Sequence, residues 1–201
     1  MRYTGPRGRR VRRLAQSFTE KEARILQRRS SPPGQHGQTR GKLSEFALQM
    51  REKQRVKYAY GLTEKQFYRL FLLAQRQTGP TGDNLFKRLE LRLDNVVYRL
   101  AFSSTRPQAR QLVTHGFVSV NGKKVNIPSV TVRPGDTVSF SANKRSSAYV
   151  ENLKSRLNTV NAPDWLEVSS TDLAGKVLAV PDAQHAESLN SRLVVEHYQR
   201  I

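Results

Sequence analysis

Helical spacing arranges the polar side chains between Thr105 and His115 in rows. Arg106, Arg110 and Thr114 stand at i, i+4 and i+8, Gln111 and His115 pair at i, i+4, and Ala109, Leu112 and Val113 fall on an apolar stripe. Arginine offers a planar fork of donors that lies bidentate against phosphate oxygens, and amides and imidazole add hydrogen bonds that charge alone lacks. Directly after this helix comes Asn121-Gly122, the pair that best tolerates the two positive φ angles of a type I′ turn, followed by Lys123 and Lys124. Helix and turn can therefore bring phosphate ligands to one bent surface. Arg106 and Arg110 are expected to point away from the core. The chemistry on offer is recognition of a polyanion.

Covalent chemistry finds little support. Gly116 and Gly122-Lys123 faintly match a phosphate-binding loop, but the spacing is wrong and Lys124 occupies the place of the required Ser or Thr. His36, His115, His185 and His197 lie in unrelated segments without metal-ligand spacing, and the absence of cysteine removes disulfides, thiolate catalysis and Cys-ligated zinc. The acids gather in the last quarter without the spacing of an acid and base pair. No enzyme activity, cofactor or metal is expected.

Charge supports the same reading. The 201 residues carry 35 Lys and Arg against 16 Asp and Glu, a net charge of +19. Residues 1–60 contribute +12, residues 61–150 contribute +9, and residues 151–201 contribute −2. The first three quarters are thus suited to a polyanion, and the last to protein or solvent. Arg2, Arg7, Arg9, Arg10, Arg12 and Arg13 form an arm without a single acid, interspersed with Gly5, Pro6 and Gly8. Such an arm is not expected to fold unless it meets phosphates. No apolar run reaches the roughly 18 residues of a membrane span, and the N-terminus lacks a signal peptide's apolar segment, so a soluble protein is expected.

Several helices must position these groups. Thr19 and Glu22 form a capping box that starts a helix to about Arg29, ended by Ser30 to Gly34. Ser44 caps a second helix to about Tyr60, with Phe46, Ala47 and Met50 on its apolar stripe and Arg51, Lys53, Arg55 and Lys57 mostly outside it. Thr63 and Gln66 start a third, on which Phe67, Leu70, Phe71 and Ala74 share one face. From Asp83 to Leu100 the apolar positions follow one bent helix or two short ones, with a break near Asp94. Thr105 and Gln108 open the polar helix, and Gly116 closes it as a left-handed cap. The period then changes. Strands are expected over Phe117–Val120, Lys123–Ile127, Val130–Val132 and Thr137–Phe140, with weaker apolar stretches at 165–168, 177–180 and 193–195.

Between Arg92 and Lys123, the runs Arg92-Leu93-Asp94-Asn95-Val96-Val97-Tyr98-Arg99-Leu100, Arg110-Gln111-Leu112-Val113, His115-Gly116 and Val120-Asn121-Gly122-Lys123 resemble the RNA-binding module of the ribosomal protein S-four family. The same module is also carried by pseudouridine synthases, tyrosyl-tRNA synthetases and small heat-shock RNA-binding proteins. The flanks resemble the ribosomal family itself: Arg2-Tyr3 with Gly5-Pro6-Arg7, Pro32-Pro33-Gly34-Gln35-His36-Gly37, Tyr60-Gly61-Leu62-Thr63-Glu64-Lys65-Gln66, and Thr81-Gly82 before Leu89-Glu90. Leu193 to Tyr198 is similar to that family's terminal strand. Without cysteine the chain resembles the zinc-free form, and between Leu14 and Arg29 the family pattern fits poorly.

The expectation is an α+β protein: a mostly helical N-terminal domain with an inserted small RNA-binding module of two helices plus a small antiparallel sheet. Its parts are a basic arm and loop over 1–43, a helical domain over 44–91, the module over 92–155, and a segment over 156–201 that packs back on the helical domain. The resemblance implies contact with small-subunit ribosomal RNA through Arg2, Arg7, Arg9, Arg10, Arg13, Lys53, Arg55, Arg99, Arg106, Arg110, Gln111, His115, Asn121, Lys123 and Lys124. For Arg92 and Asp94 a salt bridge or cap within the module stands beside RNA contact. The resemblance further implies nucleation of assembly on the 5′ domain of that RNA, a place near the path by which mRNA enters, contact with ribosomal protein S-five, and an influence on decoding accuracy. The setting would be a ribosome in a bacterial cytoplasm or a plastid stroma. Two other readings are a targeting domain of an RNA-modifying enzyme, which would need a catalytic domain of about 150 residues or more elsewhere, and adhesion to anionic membranes, which would want a basic amphipathic helix with exposed Trp or Phe.

Overall fold

The computed structural model describes residues 3, 5–38, 42–157, 162–182 and 190–200; Arg2 and His185 lie outside them. In chain order the described helices are α1 (Gly8–Leu14), α2 (Glu20–Arg28), α3 (Glu45–Ala59), α4 (Glu64–Gln75), α5 (Thr81–Glu90), α6 (Leu93–Arg99), α7 (Arg106–Thr114), α8 (Ala148–Leu157) and α9 (Ser191–Gln199). The strands are β1 (Val118–Val120), β2 (Lys123–Lys124), β3 (Thr137–Phe140), β4 (Leu166–Ser169) and β5 (Ala174–Val177). The fold is α+β, as expected. Two compact units make it up, one from residues 1–82 with 188–201 and the other from residues 83–187. No helix among the described residues is long and apolar enough to cross a membrane.

The first unit is helical. The N-caps read from sequence are present: the Thr19, Ser44 and Thr63 hydroxyls accept from the backbone N–H groups of Glu22, Ala47 and Gln66, and Gln66 returns the bond to close its box, whereas Glu22 accepts from the Phe18 N–H and leaves the box expected at Thr19 open. Three expectations fail here. Part of the arginine arm is the helix α1, because Val11 and Leu14 bury one face of it. On α3 the expected stripe is misplaced: Phe46 is exposed, and the buried face carries Gln49, Glu52, Lys53, Val56 and Lys57. The terminal segment 193–198 is helical rather than a strand. Asn190 caps it through the Leu193 N–H, and Val194, His197 and Tyr198 recur at helical spacing to bury one face.

The second unit holds a five-stranded antiparallel sheet in the order β2-β1-β3-β5-β4. At the β1–β2 hairpin Asn121 has φ 49° and Gly122 φ 76°, the two positive angles that a type I′ turn needs. The core lies between the sheet and helices α6, α7 and α8, where Val97, Leu100, Phe102, Val113, Val138 and Phe140 are among the most buried residues. Gly175 on β5 lets Leu100 lie directly against the strand, in space that a Cβ would occupy. Val130–Val132 does not join the sheet. It pairs instead with the break between α5 and α6, where the Leu93 N–H donates to the Val130 carbonyl (2.8 Å) and the Val132 N–H donates to the Leu91 carbonyl (2.9 Å). That pairing gives the bent apolar run two helices and moves the break ahead of Asp94.

Candidate nucleic-acid interface

Helix α7 presents three faces. Its start is held by the Thr105 hydroxyl, which accepts from the Gln108 N–H, and by the Gln108 side chain, which accepts from the Ser104 N–H (3.0 Å). Ala109, Leu112 and Val113 form the core face. The second face is the row expected to point outward; its two arginines turn to α6 instead, and Thr114 stays exposed. Arg106 is buried, donates to Asn95 Oδ1 (2.8 Å) and stands 4.6 Å from the centroid of the Tyr98 ring. Arg110 donates to Asp94 Oδ2 (2.9 Å). Thr114 turns its hydroxyl back to the carbonyls of Arg110 and Gln111.

These contacts belong to a polar network that fastens α5, α6 and α7 together. Arg92 clasps Asp94 with Nε at 3.1 Å and Nη2 at 2.9 Å, the salt bridge foreseen as one role for that pair. Buried Glu90 accepts from Asn95 (2.8 Å) and from both Arg99 Nε and Nη2 (2.9 Å each). Every carboxylate oxygen named here has an arginine or amide donor, which is what makes burial of such charge tolerable. Four arginines face two carboxylates, so the network keeps a net positive charge. The side chains of Arg99 and Arg110 remain 16% and 21% exposed, and those are its outlets to the surface.

The third face is open. Gln111 and His115 are exposed on α7, and Lys123 and Lys124 are exposed on the hairpin. Gly116, at φ 69°, ends the helix in the left-handed region, and the Lys124 side chain lies across it in the space a Cβ would take. His115 and Lys124 are thereby brought to one spot, with a cation at the negative end of the helix dipole. Asn121 is differently employed: its Nδ2 donates to Asp136 Oδ1 (2.8 Å) and its Oδ1 accepts from the Thr137 N–H (2.9 Å). It clasps the hairpin against β3. Beside this face Lys144 Nζ stands 5.1 Å from the Phe117 ring centroid.

In the first unit the arm residues divide. Arg7 pairs with Glu22 at 3.4 Å, and Arg12 donates to the Ser31 carbonyl at 2.8 Å. Arg9 and Arg13 are exposed and form no ion pair among the described residues. Arg10 lies over two aromatic rings, 3.3 Å from the Tyr3 centroid and 4.3 Å from that of Tyr58. These cation–π contacts hold its planar guanidinium in place. Neither tyrosine was read from sequence as a supporting residue, since they are separated by more than fifty positions.

Lys53 and Arg55 are engaged within the helices. Glu64 accepts from Lys53 Nζ (2.8 Å), Lys57 Nζ (2.6 Å) and the Tyr198 hydroxyl (2.8 Å), while Arg55 pairs with Glu52 at 3.4 Å. Burial acts to raise the Glu64 carboxyl, but the three hydrogen bonds outweigh it and hold the pKa down at about 2. Next to this cluster His197 is fully buried between Phe46 and Tyr198, and its imidazole is held below the ordinary value by burial and then by Lys53, against the opposing pull of Glu64. No group of three or more metal-ligating side chains forms among the described residues.

The fold and its open face define a basic α+β protein that presents exposed cations at a helix end and a hairpin, the surface of a polyanion-binding protein. Comparison with known proteins agrees. Residues 2–90 match the family described as the ribosomal protein S4/S9 N-terminal domain, and residues 91–138 match the S4 domain. The small ribosomal subunit protein uS4 of Chloroflexus aurantiacus is 50% identical over 204 residues, covering 99% of each chain. That of Chlorobaculum tepidum is 49% identical over 191 residues, with 94% of each chain covered. The uS4 protein of a Thermoanaerobacter species is 45% identical over 207 residues, covering 99% of each. The chain belongs to the uS4 family of small ribosomal subunit proteins.

Proposed function

We propose that this chain is a structural protein of the small ribosomal subunit that binds the 5′ domain of its RNA, nucleates assembly there and contributes to translational accuracy. The observation that carries the RNA contact is the junction of α7 with the hairpin, where Gly116 lets Lys124 cross the helix end beside His115. Gln111 and Lys123 extend that surface, and Arg99 and Arg110, the partly exposed cations of the network around α6, add positive charge. Arg9, Arg10 and Arg13 form a second set of phosphate ligands in the first unit, with Arg2 ahead of them in sequence. Arg7, Lys53, Arg55, Arg106 and Asn121 act mainly by holding the fold that presents the others.

The neighbours follow the family: ribosomal protein S-five and other small-subunit proteins, beside the path by which mRNA enters, in a ribosome of the bacterial cytoplasm or plastid stroma. The slightly acidic last quarter suits a protein neighbour better than RNA. The test is binding of the full chain to small-subunit ribosomal RNA over a salt series, with large-subunit RNA as competitor. Tight binding that survives competitor and weakens steeply with salt is expected. Equal affinity for both RNAs, or a flat salt response, contradicts the proposal.

A further inference from the structure

On α7, Gln108, Gln111, Leu112 and His115 stand at i, i+3, i+4 and i+7, and where the open face meets the core face they line a cleft together with Phe117 and Tyr149. We infer that this cleft is a nucleobase subsite that takes a single unpaired base of the bound RNA, with an adjacent phosphate on the Lys144 side. The inference rests on the reading of the chain as an RNA-binding protein and deepens it.

The size suits one planar ring system. The cleft holds about 240 Å³, below the roughly 300 to 1,000 Å³ of drug-sized sites. Its lining is apolar and aromatic at Leu112, Phe117 and Tyr149 and polar at Gln108, Gln111 and His115. RNA-binding surfaces combine these two properties: an aromatic surface on which an unstacked base lies, and side chains with both donors and acceptors at its edge. Two of the lining side chains are already fixed. Tyr149 donates its hydroxyl to the Phe102 carbonyl at 2.7 Å, which holds the ring in place, and Gln108 Oε1 is engaged by the Ser104 N–H, which orients its amide.

Charge complements the ligand. The Lys144 ammonium stands 5.1 Å from the Phe117 ring centroid, and Arg145 next to it is exposed, with Nε anchored on the Phe140 carbonyl at 3.2 Å. A base in the cleft thus has cations within reach of its own backbone. A protein segment as occupant would gain nothing from those cations unless it were acidic, whereas every nucleotide brings its anion with it.

The experiment uses the full chain and small-subunit ribosomal RNA, with two variants. Phe117→Leu keeps apolar volume but removes the ring, and the double substitution Gln111→Ala with His115→Ala alters only exposed side chains. The readouts are affinity across a salt series and base-specific chemical modification of the RNA. One unpaired base should be protected by the wild-type chain and become reactive with either variant. Affinity should fall about ten-fold or more for Phe117→Leu, within the range of one lost base stack, while the slope of affinity against salt stays unchanged because no phosphate contact is lost. A reduced salt slope with no change in base reactivity makes the cleft a phosphate surface and overturns the inference, as does unchanged affinity with unchanged reactivity in both variants. If the wild-type chain itself fails to prefer small-subunit RNA, the RNA-binding reading falls and the inference with it. If it binds and the variants match it, only the inference falls.

Discussion

Arg106→Ala separates folding from RNA contact more cleanly than any other substitution in the second unit. The substitution deletes a buried charge-assisted hydrogen bond to Asn95 Oδ1 at 2.8 Å and a guanidinium 4.6 Å from the Tyr98 ring centroid. A hydrogen bond to a charged group contributes about 1.5 to 3 kcal/mol, and the aromatic contact roughly 0.5 to 1 kcal/mol. The expected loss is therefore about 2 to 4 kcal/mol, with Asn95 left short of a partner in a site that is 2% exposed. The chain's single tryptophan, Trp165, is buried in the core of the same unit, so its fluorescence during urea unfolding of the full chain reports this unit directly. The midpoint should fall by roughly 1 to 2 M at an m-value of about 2 kcal/mol/M. The salt slope of RNA binding by the folded variant should stay unchanged. An unchanged midpoint together with a slope reduced by about 0.7 to 0.9 would make Arg106 a phosphate ligand and refute the structural assignment.

Three further outcomes are expected. Lys123→Ala with Lys124→Ala should leave the Trp165 unfolding midpoint within about 0.5 kcal/mol of wild type while lowering the salt slope of RNA binding by about 1.4 to 1.8; an unchanged slope places the hairpin away from RNA. Gly175→Ala puts a Cβ into space held by Leu100 and should cost about 1 to 3 kcal/mol, read by the same fluorescence; a neutral result would show that Leu100 moves aside freely. The first unit should lose stability in acid in two stages, followed by far-ultraviolet circular dichroism. His197 is held below its ordinary 6.5, so the unfolded chain takes the proton first, and stability that is complete above about pH 6.5 declines as pH falls from there to the folded-state value. Glu64 is lowered from 4.5 to about 2, so its contribution is complete above pH 4.5 and disappears as pH falls through 2. Because Glu64 is half exposed, Glu64→Gln should cost only about 1 to 2 kcal/mol at neutral pH and should remove the lower stage. A first stage that persists in His197→Phe contradicts the role of the buried imidazole.

The local signals in the sequence were reliable where the physics is local. Thr19, Ser44, Thr63 and Thr105 each cap the helix their position implied, and Asn121-Gly122 makes the turn its φ angles allow. Errors arose where a partner distant in sequence decides the outcome. The buried face of α3 is polar because Glu64 and Glu196, from other helices, satisfy Lys53, Lys57 and Gln49, so an apolar stripe could not identify it. The short run 193–195 reads equally as strand or helix until Val194 and Tyr198 are seen to share a face. Val130–Val132 has strand composition, yet its hydrogen bonds go to the helix break at 91–93. Helix α8 gave no signal clear enough to be read.

The same distinction applies at the interface. The family resemblance marked Arg99, Arg106 and Arg110 as ligands, but only the positions of Glu90, Asp94 and Asn95 show how much of their hydrogen bonding is spent inside the protein. The cleft formed by α7 with Phe117 and Tyr149 joins residues 41 positions apart. Its one trace in the sequence is the row at 108, 111, 112 and 115, half of which had been read as a pair.

The central claim is that many of the chain's arginines and lysines hold the fold and a smaller set meets RNA. Its most direct measurement is the slope of log affinity against log salt for the full chain on small-subunit ribosomal RNA. With Arg9, Arg10, Arg13, Arg99, Arg110, Lys123, Lys124 and Lys144 as the phosphate ligands, the slope should be about −6 to −7. A slope of about −8 to −11, as if all the cations that the family resemblance implied reached phosphate, would contradict the account, and so would one near zero.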